Sequence, residues 1–150
     1  MNNSDDERPF WKSGLHFSCT SCGHCCRHEP GYVFLSPEDL RSLAKIKNIT
    51  GQEFTKKYCR TVDLGIVKRL SLLETPDNDC VFWDQGCTVY KARPLQCRTY
   101  PFWPAILSST EEWEREALEC PGINQGKRRG ARGISLALKK REREILISPS

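Results

Sequence analysis

Apolar positions along this chain come in short bursts separated by polar and proline-rich stretches, which predicts small elements rather than long ones. Ser36-Pro37-Glu38-Asp39 precedes Leu40, Leu43 and Ala44. A hydroxyl at the N-cap, proline at the first helical position and acids in the first turn predict a helix start there. Thr50-Gly51-Gln52-Glu53 is a capping box that opens a second helix through Phe54 and Tyr58. The run from Ile66 to Leu73 predicts a strand. Cys80 to Trp83, then Asp84-Gln85-Gly86, then Cys87 to Tyr90 predicts a hairpin with its turn at Gly86. Ser109 and Glu112 cap a third helix that carries Trp113 and Ala117 and ends before Pro121. Loops with Pro94, Pro101 and Pro104 separate these elements. Residues 121–133, rich in glycine and charge, predict a linker. Beyond it Ile134, Leu138 and Ile145 recur at helical spacing in a basic segment, as in a short amphipathic helix. The pattern as a whole predicts an α+β class: a small irregular domain with short helices, a β-hairpin and many loops.

Composition narrows the class. A chain of 150 residues predicts one domain, and 38% apolar with 28% charged residues is too apolar for a disordered protein. No stretch approaches the roughly 18 apolar residues of a spanning helix, so no transmembrane segment is expected. Met1 to Lys12 is polar and carries Asp5, Asp6 and Glu7, without the apolar run of a secretory signal, so the expected location is cytoplasmic. The net charge of +4 is unevenly placed. Residues 127–144 hold eight Lys or Arg against Glu142 and Glu144, and the remainder is slightly acidic, with 15 basic and 17 acidic residues. The basic segment reads as a solvated or docked tail, with a nucleic-acid or membrane-surface contact as the rival reading.

Cysteine is the outlier, with nine in the chain. Four fall within eight residues, as Cys19-x2-Cys22-x2-Cys25-Cys26, and Cys59, Cys80, Cys87, Cys97 and Cys120 follow. In a reducing compartment such clusters are metal ligands or redox groups rather than disulfides. The odd count and the adjacency of Cys25 and Cys26 also argue against disulfides. Thiolates favour zinc and iron–sulfur clusters, and two-residue spacing lets a short loop turn two of them toward one ion. Cys19-Thr20-Ser21-Cys22-Gly23 looks like a zinc knuckle. Cys19, Cys22 and Cys25 also look like the opening of a bacterial ferredoxin motif, with Cys120-Pro121 as its remote ligand. Setting Cys59 aside, eight cysteines supply two four-coordinate sites or one binuclear site. Side chains of adjacent residues diverge on an extended segment, so Cys25 and Cys26 are expected to serve different ions or to bridge two. Cys22-Gly23-His24-Cys25 also matches the redox pair of protein disulfide isomerases, but the strand that precedes such a pair is missing from the sequence pattern.

Several separate pieces, in order, resemble the YkgJ-type cysteine-cluster family, a zinc- or iron-chelating domain with a CxxCxxCC signature. They are Phe17 to Cys26, Cys80 to Trp83, Gly86 to Tyr90, Arg93 to Phe102, and Cys120-Pro121-Gly122. The resemblance covers about residues 17–122 and implies chelation of zinc or iron by Cys19, Cys22, Cys25, Cys26, Cys80, Cys87, Cys97 and Cys120. It divides the chain into an N-terminal extension (1–16), a cysteine-cluster domain (17–122) and a basic C-terminal tail (123–150). A related cluster occurs in flagellin lysine N-methylases, but this chain has no glycine-rich nucleotide loop after a strand.

The other chemistry-bearing residues have blander readings. Cys59, on a helix after Lys56-Lys57-Tyr58, reads as a buried inert thiol. His16, His24 and His28 read as surface or supporting residues. Arg93 and Arg98 bracket Cys97 and either offset thiolate charge or form surface ion pairs. Phe82, Trp83, Tyr100, Phe102 and Trp103 read as core covering the cluster. Glu111, Glu112, Glu114, Glu116 and Glu119 read as a solvated helix face, so no catalytic set is assigned. The expected function is metal binding by a metal-stapled domain that acts as an interaction or metal-handling module, with a metal ion and a protein as expected partners. An iron–sulfur redox or enzyme-accessory protein, and a nucleic-acid-binding zinc module using residues 127–144, are the alternatives.

Overall fold

The computed structural model describes residues 9–20 and 32–149. The described residues form an α+β protein with five α-helices and two two-stranded antiparallel sheets. The chain divides into two compact units. One comprises residues 1–22 and 101–142, and the other residues 23–100 and 143–150.

In the central unit, α1 (Pro37–Lys47) starts where the sequence predicts. Ser36 Oγ accepts from the Asp39 N–H, and Asp39 Oδ2 accepts from the Ser36 N–H, each at 3.1 Å. The helix ends at Asn48, whose left-handed backbone (φ 57°) closes the last turn by donating to the carbonyls of Ala44 and Lys45. The capping box of Thr50 and Glu53 opens α2 (Gly51–Tyr58), also as predicted. The chain then runs into β2 (Cys59–Asp63), which pairs with β3 (Lys68–Leu72) in register from Cys59 opposite Leu72 to Asp63 opposite Lys68. The first strand of the chain, β1, lies in the other unit and is described below. Two further segments line β3. Leu35 N–H donates to the Leu70 carbonyl and Leu72 N–H to the Val33 carbonyl, while Ile147 N–H donates to the Leu35 carbonyl. Leu35, Leu43, Phe54, Leu70, Leu72, Phe82 and Val89 fill the core, with Phe54, Tyr58 and Phe82 ring centroids 4.9–5.8 Å apart.

The hairpin lies at residues 59–72, not at 80–90. Residues 80–90 make a tight turn held by single antiparallel bridges, Trp83 to Cys87 and Cys80 to Glu74. Their apolar residues serve as plugs for the core rather than as a ladder, because Phe82 and Val89 point into it and the intervening turn is too short to extend pairing. A 3-10 turn at Tyr90–Ala92 and a one-turn helix, α3 (Leu95–Thr99), follow where the prolines suggested only loop.

In the other unit, β1 (Leu15–Phe17) pairs antiparallel with β4 (Ile123–Arg129), from a partner more than a hundred residues away. The stretch predicted as a linker is therefore a strand followed by α5 (Ala131–Arg143). Its glycine-rich composition misled because only Ile123 of β4 is buried, and most of the strand faces solvent. The Ser109 cap starts α4 (Thr110–Ala117) as predicted, accepting from the Glu112 N–H. Trp113 on α4 is 1% exposed and stacks on Phe102 at 6.0 Å, and Phe102 meets Phe17 edge-on. The indole Nε1–H is not stranded: it donates to Asn124 Oδ1 at 2.9 Å. Ile106, Leu107, Cys120, Ile123 and Ile134 complete this core.

With so few buried side chains, each matters. Replacing Trp113 by Ala should cost about 3–5 kcal/mol, read as a lower urea midpoint; an unchanged midpoint would show that Trp113 does not hold this core.

Candidate metal centre

The five described cysteines of the expected ligand set sit on stiff, short pieces of backbone. Cys80 and Cys87 flank the 80–90 turn and both pack against the central core. The turn is cross-tied. Trp83 N–H donates to the Cys80 carbonyl, Asp84 N–H to the Gly86 carbonyl, and the Thr88 N–H and hydroxyl both donate to the Phe82 carbonyl at 2.9 Å. Gln85 (φ 57°) and Gly86 (φ 149°) supply the reversal.

Cys97 rides on α3, a helix too short to stand alone. Fixed points hold it at its start. Buried Pro94 leads into it and buried Pro101 follows it. Asp39, itself 4% exposed, uses its second carboxylate oxygen to accept from the Leu95 N–H at 3.1 Å, so one carboxylate caps α1 and α3 together. Gln96 donates to the Tyr32 carbonyl (2.7 Å) and accepts from the Phe34 N–H (3.2 Å). The helix carrying Cys97 is thereby pinned to the segment that emerges from the CxxCxxCC run. Neither Asp39 nor Gln96 stood out in the sequence. The only available signal was Asp39 at the third position of a helix, which already had a local explanation.

In the other unit, Cys19 is exposed and Cys120 is buried. The backbones around them run side by side, because Ser18 N–H donates to the Gly122 carbonyl next to the Phe17–Ile123 pair. Glycine is required at 122, where a Cβ would overlap the Ser18 carbonyl oxygen. Ser18 is also locked through its hydroxyl, which accepts from the Lys127 N–H at 2.9 Å.

Cys22, Cys25 and Cys26, together with His24 and His28, lie outside the described residues. Among the described residues, no three His, Cys, Asp or Glu side chains form a group able to hold an ion. The donor chemistry nevertheless suits one: soft thiolates, half-buried or buried at four of the five described positions, match zinc and iron. Cys59 differs. It joins α2 to β2, packs on the core, and burial pushes its thiol up to about 11. That keeps it protonated at neutral pH, as suits an inert thiol. His16 bonds the Gly126 carbonyl through Nδ1. Arg93 lies 3.8 Å over the Tyr90 ring and donates through Nε to the Tyr90 carbonyl, and Arg98 donates to the Arg93 carbonyl. Both arginines therefore brace the Tyr90–Thr99 turns, a role the sequence did not suggest.

Residues 18–121 match the CxxCxxCC family, described as a "Putative zinc- or iron-chelating domain". The chain belongs to this family. It is also 28% identical over 107 residues to an uncharacterized protein of Methanocaldococcus jannaschii, MJ0661, a match that covers 68% of this chain and 53% of the relative. The chain spans about half the length of that curated relative. No solved structure matches it. Among the described residues, no helix is long and apolar enough to cross a membrane.

Two checks follow from this geometry. Gly122→Ala should destabilise by about 1–3 kcal/mol through overpacking, whereas Gly133→Ala, on α5 with open space around it, should stabilise by about 0.5–1 kcal/mol; equal effects in a urea titration would refute the close contact at Ser18. At pH 8 only about one Cys59 in a thousand is thiolate, so iodoacetamide should label Cys59 of the folded protein far more slowly than after denaturation. Equal rates would show that the core does not shield it.

Proposed function

We propose that Cys19, Cys22, Cys25, Cys26, Cys80, Cys87, Cys97 and Cys120 are the metal ligands, and that the bound zinc or iron is a structural staple for a domain used in protein interaction or metal handling. The observation that carries this reading is the conjunction of the family's cysteine spacing with rigid seating. Cys80 and Cys87 flank a short turn cross-tied by backbone and Thr88 hydrogen bonds, and Cys97 sits on a one-turn helix pinned by Asp39 and Gln96. A backbone that holds a thiol in place before any ion arrives lowers the ordering cost of chelation. The ion in turn would add what small cores lack, a strong interaction between distant parts of the sequence. A full thiolate shell favours a structural metal, since a catalytic zinc keeps one position open for water. Such a shell needs reduced thiols, which places the protein in the cytoplasm on this reading. Cys59 stays outside the set.

The test is metal content on protein purified without oxygen, with zinc, iron and acid-labile sulfide counted and the visible spectrum recorded. Zinc near two per chain without colour, lost together with thermal stability on chelation, is the expected outcome. Cys87→Ser and Cys97→Ser should each lower the metal count while Cys59→Ser leaves it unchanged. Iron with matching sulfide and a brown colour would replace the structural staple with an iron–sulfur redox or enzyme-accessory role. Absence of both metals, with thiols paired as disulfides, would overturn the proposal.

A further inference from the structure

The basic segment has a definite shape that metal chelation does not use. On α5, Arg132, Leu136, Lys139 and Lys140 fall within about 100° of arc at the spacing of an α-helix, and all four are exposed. The opposite side carries Ile134, 1% exposed, and half-buried Leu138. The helix is thus docked by its apolar side and turns a basic ridge to solvent. Exposed Lys127 and Arg128 on β4 lead into it. Among the described residues, no carboxylate forms an ion pair with Lys127, Arg132, Lys139 or Lys140. On the acidic helix α4, Glu114 accepts from Asn124 Nδ2 at the opening of β4, and Glu112 pairs with Arg115 of its own helix. Three such cations on α5, with Lys127 on the β4 strand that leads into it, repel one another, and a polyanion relieves that repulsion.

We propose that this β4–α5 ridge binds the phosphate backbone of duplex DNA, without regard to sequence. The chemistry selects this occupant. Insertion into a lipid surface needs an exposed apolar face, and here that face is buried in the protein with only Leu136 showing. Single strands are held by stacking on aromatic rings, and residues 123–143 contain none. Duplex RNA has a major groove too narrow for a helix, whereas the B-DNA groove, about 12 Å wide, admits one. Arg132 to Lys140 spans about 12 Å along the axis, enough to reach phosphates on both sides of that groove. The exposed α5 face carries Arg, Lys and Leu, and α5 has no Asn or Gln to pair with adenine, so the helix's contact is electrostatic.

The experiment is fluorescence anisotropy of a labelled 20-base-pair DNA duplex titrated with the metal-loaded full chain at several salt concentrations. The expected slope of log K against log salt is about −3 to −4, for four phosphate contacts. Lys139→Gln combined with Lys140→Gln should make the slope shallower by about 2, with metal content and circular dichroism unchanged. Those two controls separate failure of this ridge from failure of the chelating fold. Absence of binding at 50 mM salt, a slope insensitive to the substitutions, or equal or tighter binding to an RNA duplex, to polyglutamate or to phosphatidylserine vesicles would each overturn the proposal.

Discussion

The contact of Ser18 with Gly122 closes the segment that defines the family. The two residues stand at the ends of a stretch of about a hundred residues, and a backbone hydrogen bond joins them. Closing a loop of that length costs on the order of 4 kcal/mol in chain entropy, more than one hydrogen bond returns. The surrounding pieces supply the remainder: the Phe17–Phe102–Trp113 aromatic contacts, the Lys127 N–H on the Ser18 hydroxyl, and the burial of Ile123. Chelation by cysteines at both ends of the segment would work in the same direction. On that proposal, metal binding and closure of this strand pair would be one linked equilibrium.

The central unit solves a different problem with buried polar groups. α3 has five residues, and nothing in its composition makes it a helix in isolation. One carboxylate and one amide fix it, since Asp39 and Gln96 satisfy four backbone groups between them. Each bond is modest alone, but loss of the Asp39 side chain would strand the buried Ser36 N–H and the part-buried Leu95 N–H, and that asymmetry gives such a residue its weight. The backbone that carries Cys97 is thus positioned by Asp39 and Gln96.

Local signals were legible in the sequence and distant ones were not. The caps at Ser36, Thr50 and Ser109 act on N–H groups three residues away, and all three helices begin where those residues stand. The β1–β4 pair was invisible because its partners lie far apart and β4 is almost wholly solvated, so no alternation marks it. Cys80 to Tyr90 carried the alternation of a hairpin but use their apolar residues to plug a core. The family followed from cysteine spacing, which is chemistry written in short range. The seating of Cys97 depended on Asp39, whose local duty as a cap hid its second one.

Ile147 has a consequence for the end of the chain. Its N–H and carbonyl both bond within the central unit, to Leu35 and Leu70. The stretch around Ile147 therefore lines the central core, although α5 ahead of it is strongly basic. A proteolytic nick between α5 and Ile147 would act as a core lesion, and cleavage there in limited proteolysis would report on the integrity of the fold.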